Sequence, residues 1–261
     1  MEKKYINENV QVIDGPEAAI MIKQKNDAKY FIENVGIKKV DKSRWVEAQK
    51  YEKFTWCIGG GRNCTEDRNH DHQKLFDNYK ILPSILNHDL SVIELGCGPY
   101  TNLNLILPLL KKRIASVDLL DPLARDYMMS SPNCTYKNGM LQFYNTKVIP
   151  LPIEEFTPTK KYDLVVMINV LEHCFDIDLI FEKVFNMMND GGVLIFSDKA
   201  MTDKALKECI ENIYDAGHPI RISEEYLDEK LKLFKPLYSY DLLDDHGAFH
   251  EYVTKYVIVQ K

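Results

Sequence analysis

Glu94-Leu95-Gly96-Cys97-Gly98-Pro99-Tyr100 is the stretch that decides how this chain folds. It follows a short apolar run, residues 91–95, and precedes a segment with helical spacing at 101–112 that Thr101 or Asn102 can cap. A strand passing into a helix through closely spaced glycines marks the edge where open α/β sheets bind ligands. Gly96 and Gly98 permit positive φ and a close approach of main chain to ligand. A plain tight turn would also use such a pair, so the loop alone decides nothing about function. Two rivals are testable on the spot. A phosphate-cradling P-loop needs a Gly-Lys-Ser/Thr ending, and none is present. A dinucleotide fingerprint needs a third glycine at position 101, where Thr101 stands.

Working outward, strands are predicted at 114–120, 146–150, 163–168 and 193–197, with helices at 122–129 and 176–188 between them. Asp190-Gly191-Gly192 turns the last helix into its strand. Helical stretches at 203–215 and 223–232 follow, and 237–243 with 252–260 close the chain as a strand pair. This alternation predicts an α/β fold: a seven-stranded, mostly parallel sheet covered on both faces, with an antiparallel edge. Residues 81–261 would form that domain, and residues 1–80 a helical N-terminal cap or lid. Within the cap, Trp45, Gln49, Glu52 and Trp56 share one face of a helix predicted over 41–56. A packing stripe accounts for the tryptophans, whereas a pocket wall accounts for the amide and the carboxylate. Gly59-Gly60-Gly61 ends that helix, and the polar residues up to His72 read as a loop.

With these elements in place, the chain resembles the class I, Rossmann-like S-adenosylmethionine-dependent methyltransferases. Glu94-x-Gly96-x-Gly98 resembles their first motif, departing from it at Tyr100, where the pattern has a further glycine. Asp121-Pro122-Leu123-Ala124 resembles the second, whose acidic residue accepts the ribose hydroxyls; Asp118 is the alternative. Tyr162-Asp163-Leu164-Val165-Val166 followed by Asn169-Val170-Leu171-Glu172-His173 resembles the fourth, and Asp190-Gly191-Gly192-Val193-Leu194 the turn into strand five. The resemblance spans about residues 90–200 with the motifs in order. It implies S-adenosylmethionine as cofactor, contacted by Glu94, Gly96, Gly98, Asp121, Glu154 and Asn169. It also places Glu172 and His173 beside the methyl group.

Methyl transfer to a hydroxyl needs a base, and His173 suits the task by its ordinary pKa near 6.5. A histidine capping the next helix is the structural alternative. Trp56, His70, His218 and Arg221 are the candidate acceptor-binding residues, with His246 and His250 as further histidines near the last strands. The whole-chain look is similar to bacterial methyltransferases acting on sugars and surface-polysaccharide precursors. The expected acceptor is therefore a hydroxyl of a small polar molecule such as a nucleotide-linked sugar. An N-methyltransferase of a small amine, or a cofactor-binding subunit without catalysis, are the alternatives.

Bulk properties bound the partners. A net charge of −6 and the lack of a long basic run argue against nucleic acid. No apolar stretch approaches the roughly 20 residues that span a bilayer, so no membrane partner is expected. Six scattered cysteines without a CxxC suit free thiols in the cytoplasm. Cys57, Cys64, His70 and His72 match no common zinc spacing, and no metal is expected. The sequence is compatible with a homo-oligomer.

Overall fold

The apolar runs read from the sequence assemble into one sheet. In the computed structural model, residues 3–7, 10–13, 20–22, 31–32, 36–58, 67–110, 113–206, 214–215, 217–245 and 251–261 are described, with side chains at 36–58, 67–110, 113–206, 217–243 and 252–261. His246, His250, Cys64 and the glycine run at 59–61 lie outside the described residues.

The N-terminal region differs from the helical cap expected. Among the described residues five short strands come first: Lys3–Asn7 (β1), Val10–Ile13 (β2), Ile20–Ile22 (β3), Phe31–Ile32 (β4) and Gly36–Ile37 (β5). These strands are only two to five residues long, too short for a period to register. The first helix among the described residues is Lys42–Lys53 (α1), which runs on as a π-helical turn over Phe54–Ile58; Asn69–Leu75 (α2) and Leu82–Ile85 (α3) come after it.

The central sheet contains Leu90–Leu95 (β6), Ile114–Leu120 (β7), Met140–Leu141 (β8), Tyr144–Ile149 (β9), Tyr162–Ile168 (β10) and Met188–Met201 (β11). Leu103–Leu110 (α4), Ala124–Ser130 (α5) and Ile177–Met187 (α6) connect them. Beyond these come Tyr214–Asp215 (β12), Arg221–Ile222 (β13), Glu224–Leu231 (α7), Lys235–Asp245 (β14) and Glu251–Gln260 (β15). The strand order is β14-β15-β11-β10-β6-β7-β9-β8. The seven predicted strands are all present, and the two-residue β8 adds an eighth. From β11 to β9 neighbouring strands are parallel, while β15, β14 and β8 pair antiparallel. β12 falls inside the range read as a helix at 203–215. Its antiparallel pairing with β3 is a tertiary contact that local periodicity does not encode.

Alternate residues of each central strand enter different cores. Leu90 and Val92 join Leu164 and Val166 on one face with α4, α5 and Phe76, Tyr79, Leu82 and Leu86 from α2–α3. Ile93 and Leu95 join Val165 and Met167 on the other, with α6, α7 and Ile37, Val40 and Trp45. Residues on both sides of position 80 therefore share one core. Main-chain bonds from Val40 to Phe175 and from Ile177 to Lys38, each 3.0 Å, tie the segment before α1 to the start of α6. No helix among the described residues is long and apolar enough to cross a membrane.

β6 sends its crossover to β7 on one side, and β10 lies on the other, so the connections after β6 and β10 diverge at the carboxyl edge of the sheet. This is the crevice in which such sheets receive ligands.

Candidate functional site

A cavity of about 580 Å³ opens at that crevice. Gly96 and Gly98 both hold positive φ, +65° and +52°. A Cβ on Gly96 would come within 2.6 Å of Val170, so the loop can pass the β10 turn only with glycine there. A Cβ on Gly98 would meet nothing within 4 Å, so the chain is bare where it faces the cavity. The loop is clamped from behind: Tyr136 donates its hydroxyl to the Gly98 carbonyl at 2.7 Å, and the Thr135 N–H donates to the Pro99 carbonyl at 2.9 Å.

Glu94 is fully buried beneath the loop and outside the cavity wall. It accepts the Thr101 hydroxyl, the Asn102 N–H and side-chain amide, and the Leu103 N–H at the start of α4. Burial pushes its pKa up to about 7, against these hydrogen bonds. Glu94 thus shapes the loop and the helix N-terminus from outside the cavity lining.

The two candidate ribose acids occupy different surroundings. Asp118 accepts the Tyr162 hydroxyl at 2.7 Å and the Lys160 ammonium at 3.1 Å, away from the cavity. Asp121 lines the cavity; its two oxygens accept the N–H groups of Gly98 at 3.0 Å and Leu123 at 2.8 Å. A carboxylate has about four acceptor positions, so each oxygen of Asp121 can take a further donor. Burial raises its pKa to about 6, more than those two bonds lower it. Such a desolvated acid, short of donors, is the group that vicinal hydroxyls would complete.

The β10 turn forms the next wall. Asn169 sits at φ +58°. Asp198 accepts the N–H groups of Val170 and Leu171 at 2.8 and 2.6 Å, holding the 3₁₀ turn Leu171–His173. Glu154 lines the cavity, and one of its oxygens accepts the Phe175 and Asp176 N–H groups. Asp176, not His173, caps α6, accepting the Leu179 N–H at 3.2 Å.

Five polar side chains meet on the wall beside this turn. Glu172 is bonded to Lys199 at 3.0 Å and lies 3.5 Å from His218 Nε2 and 3.9 Å from His173 Nε2. Burial alone would raise its pKa, but His218 and the Lys199 ammonium hold it well below the usual carboxylate range. His173 Nδ1 lies 3.2 Å from the Gly217 carbonyl and 3.7 Å from Glu52. Because a carbonyl only accepts, Nδ1 carries the proton in that bond and Nε2 keeps its lone pair. Burial lowers the His173 pKa, keeping the ring neutral. Trp45 and Gln49 donate to the His173 carbonyl at 3.0 and 3.3 Å, while Trp56 donates to Glu52 at 3.0 Å. The face carrying Trp45, Gln49 and Glu52 on α1 and Trp56 on the π-helical turn that follows is therefore cavity wall.

Gly96, Gly98, Asp121, Glu154, Asn169, Glu172, His173, Trp56 and His218 all line the cavity. Two acceptor candidates do not. His70 is exposed on α2, two residues and so about 200° around the helix from His72, which is the α2 histidine that faces in. Arg221 turns its guanidinium onto the His218 and Ile220 carbonyls, both at 2.7 Å, and so supports the His218 loop. Sequence reasoning missed Lys199, which lies on β11 beyond the predicted strand end at 197, and Arg68, Asn69 and Tyr127. The longer β11 was legible in Asp198-Lys199-Ala200 only once β15 was known to pair with it.

A family profile described as a methyltransferase domain matches residues 67–238, well over half of the chain. No curated protein matches the sequence. Among solved structures, N-methyltransferase NodS from Bradyrhizobium japonicum WM9, in complex with S-adenosyl-L-homocysteine, superposes with a TM-score of 0.56 at 11% identity, covering 82% of this chain and 98% of its own. Magnesium protoporphyrin IX methyltransferase from Synechocystis PCC 6803 with bound S-adenosylhomocysteine gives 0.54 at 15% identity, over 82% and 99%. Coclaurine N-methyltransferase bound to N-methylheliamine and S-adenosylhomocysteine gives 0.53 at 11%, over 90% and 85%. At these identities the likeness establishes the fold.

Proposed function

The chain belongs to the methyltransferase domain family, and from that premise we propose that it carries the methyl group of S-adenosylmethionine to a hydroxyl of a small polar acceptor, a sugar or nucleotide-linked sugar used in building surface polysaccharide. The observation that carries this reading is the meeting of two half-sites in one cavity. Gly96, Gly98 and Asp121 form one half, and Glu52, Glu172, His173, Lys199 and His218 the other.

S-adenosylmethionine supplies an electrophilic methyl group on a sulfonium. Its fit rests on the bare main chain at Gly98 and the remaining acceptor positions of Asp121. Asp121 would hold the ribose hydroxyls, with Ile153, Glu154 and Asn169 along the adenosine path. Transfer to oxygen is helped mainly by positioning, together with removal of the acceptor proton. His173, neutral and fixed by the Gly217 carbonyl, is the ring placed to take that proton. Glu172, kept ionised and bonded to Lys199, stabilises the charged ring that results. The mixture of Gln49, Asn69, Glu52 and His218 with Trp45, Trp56 and Tyr100 suits a sugar, which presents hydroxyls at its rim and C–H groups on its faces. Free thiols at Cys57, Cys97, Cys134 and Cys174 support a cytoplasmic enzyme.

N-methylation of a small amine is the second reading, favoured by Glu52 held by Trp56 within an aromatic wall that also includes Tyr51 and Tyr100. Calorimetric titration with S-adenosylmethionine and, separately, NAD tests the cofactor. Mass-spectrometric detection of methylated product from panels of nucleotide-linked sugars and amines then tests the acceptor. Binding of NAD alone would sink the proposal, and product from amines only would transfer it to the second reading. Cofactor binding without turnover on any acceptor would leave a non-catalytic subunit.

A further inference from the structure

Glu52, His173 and His218 come from three separate parts of the chain: α1, the turn after β10, and the loop before β13. A carboxylate oxygen of Glu52 and one ring nitrogen of each histidine lie within 4.8 Å of one another, on the wall of the cavity. We propose that these three side chains form a binding site for one divalent transition-metal cation, with its remaining coordination position open to the acceptor. The inference rests on the methyltransferase reading for its purpose, though not for its test.

The chemistry of the set fits. Two imidazoles and one carboxylate are the ligands that zinc and its neighbours favour, and three protein ligands with an open position are the pattern of catalytic rather than structural sites. Tetrahedral coordination at metal–ligand distances of about 2.0–2.1 Å needs the donor atoms to close in, a shift within reach of side-chain rotation. The supporting bonds are also present. Metal-binding histidines as a rule donate the second ring N–H to a fixed acceptor, and His173 has the Gly217 carbonyl at 3.2 Å. Glu52 is oriented by the Trp56 indole at 3.0 Å, and the His218 main chain is held by Arg221 at 2.7 Å. Glu172, 3.5 Å from His218 Nε2, is bound by Lys199 and so stands beside the site as a neutralised neighbour. No cysteine belongs to the cluster, which separates it from the Cys57–His72 region weighed from the sequence.

In this form His173 is a ligand and not the base. The cation lowers the proton affinity of the acceptor hydroxyl, whose proton leaves to solvent. The oxygen lone pair then forms the bond to the methyl carbon as the carbon–sulfur bond breaks, and that electron pair stays on sulfur.

The test uses the full chain, stripped with a chelator and titrated with zinc chloride by calorimetry and with cobalt chloride by visible absorption. The expected result is one cation per chain, with cobalt bands of a low-coordinate nitrogen–oxygen site and no thiolate charge-transfer band. Glu52→Gln and His218→Ala should each weaken binding by about tenfold or more, whereas His70→Ala, on exposed α2, should not. Circular dichroism of each variant confirms that it is folded. No stoichiometric cation, or an affinity indifferent to both Glu52→Gln and His218→Ala, would overturn the site. S-adenosylhomocysteine binding, measured on the same stripped chain, reports on the methyltransferase reading separately: a chain that binds it but takes no cation refutes the metal site alone.

Discussion

The main-chain N–H of Gly98 donates to the carboxylate of Asp121 at 3.0 Å, joining the turn after β6 to the turn after β7. The two neighbouring strand ends thus share one acidic group. It orders the loop from below and turns its remaining acceptor positions to the cavity.

Removing that group should affect ligand binding more than folding. Asp121→Ala is expected to weaken S-adenosylhomocysteine binding by about tenfold or more, the loss of roughly 1.4 kcal/mol. Asp118→Ala should leave that affinity nearly unchanged. It strands the buried Tyr162 hydroxyl and so costs about 1–3 kcal/mol of stability. Calorimetry and urea denaturation on both variants check the pair, and a reversed pattern would assign the ribose to Asp118.

The two loop glycines should separate in the same way. Gly96→Ala puts a methyl 2.6 Å from Val170 at φ +65° and should destabilise by more than the roughly 1–2 kcal/mol of left-handed strain. Gly98→Ala meets no atom within 4 Å, so the protein should fold with only that strain and lose cofactor affinity instead. Equal affinity in Gly98→Ala and the parent would show that no ligand runs against the loop there.

His173→Ala should lower turnover about a hundredfold, the usual scale for a proton-handling group, with cofactor affinity intact. The loss is expected whether the ring takes the proton itself or holds a cation. Unchanged turnover would remove His173 from the chemistry.

His72 faces the cavity with its Nδ1 3.3 Å from the Tyr256 hydroxyl, and burial, with Arg68 adding to it, lowers its pKa to about 4. A histidine with a lowered folded pKa binds protons more readily when unfolded. Its contribution to stability is therefore complete above about 6.5 and is lost as pH falls from there toward about 4. His72→Gln should flatten the stability profile in that window, as measured by denaturation at a series of pH values. An identical slope in the variant would rule out His72 as its source.

Several features of the fold were legible because they are local. The apolar runs at β6, β7, β9, β10 and β11 and the Gly96–Gly98 loop each carry their signal within a few residues. The helical face of Trp45, Gln49, Glu52 and Trp56 was legible as a face, but whether it packed or lined a pocket was not. Both outcomes give the same spacing. The strands before α1 were missed because each is too short for a period of two to show. Of the described residues in the stretch read as a helix at 203–215, 203–206 are helical and only Tyr214–Asp215 departs, because β12 exists through its pairing with β3.

The sequence by itself determined an α/β sheet with a glycine-turned ligand edge and a small set of acids beside it, since periodicity, turn chemistry and capping are properties of neighbouring residues. Only the tertiary structure distinguished the surroundings of Asp118 and Asp121, giving Tyr162 and Lys160 to the first and the cavity to the second. Only it brought Glu52, Glu172, His173, Lys199 and His218 onto one wall, and turned His72 inward while leaving His70 exposed. The reason is that the partner of a buried polar group is chosen by long-range packing. Residues far apart in sequence meet where helix, turn and loop converge over the sheet, and nothing in their local neighbourhoods announces the meeting.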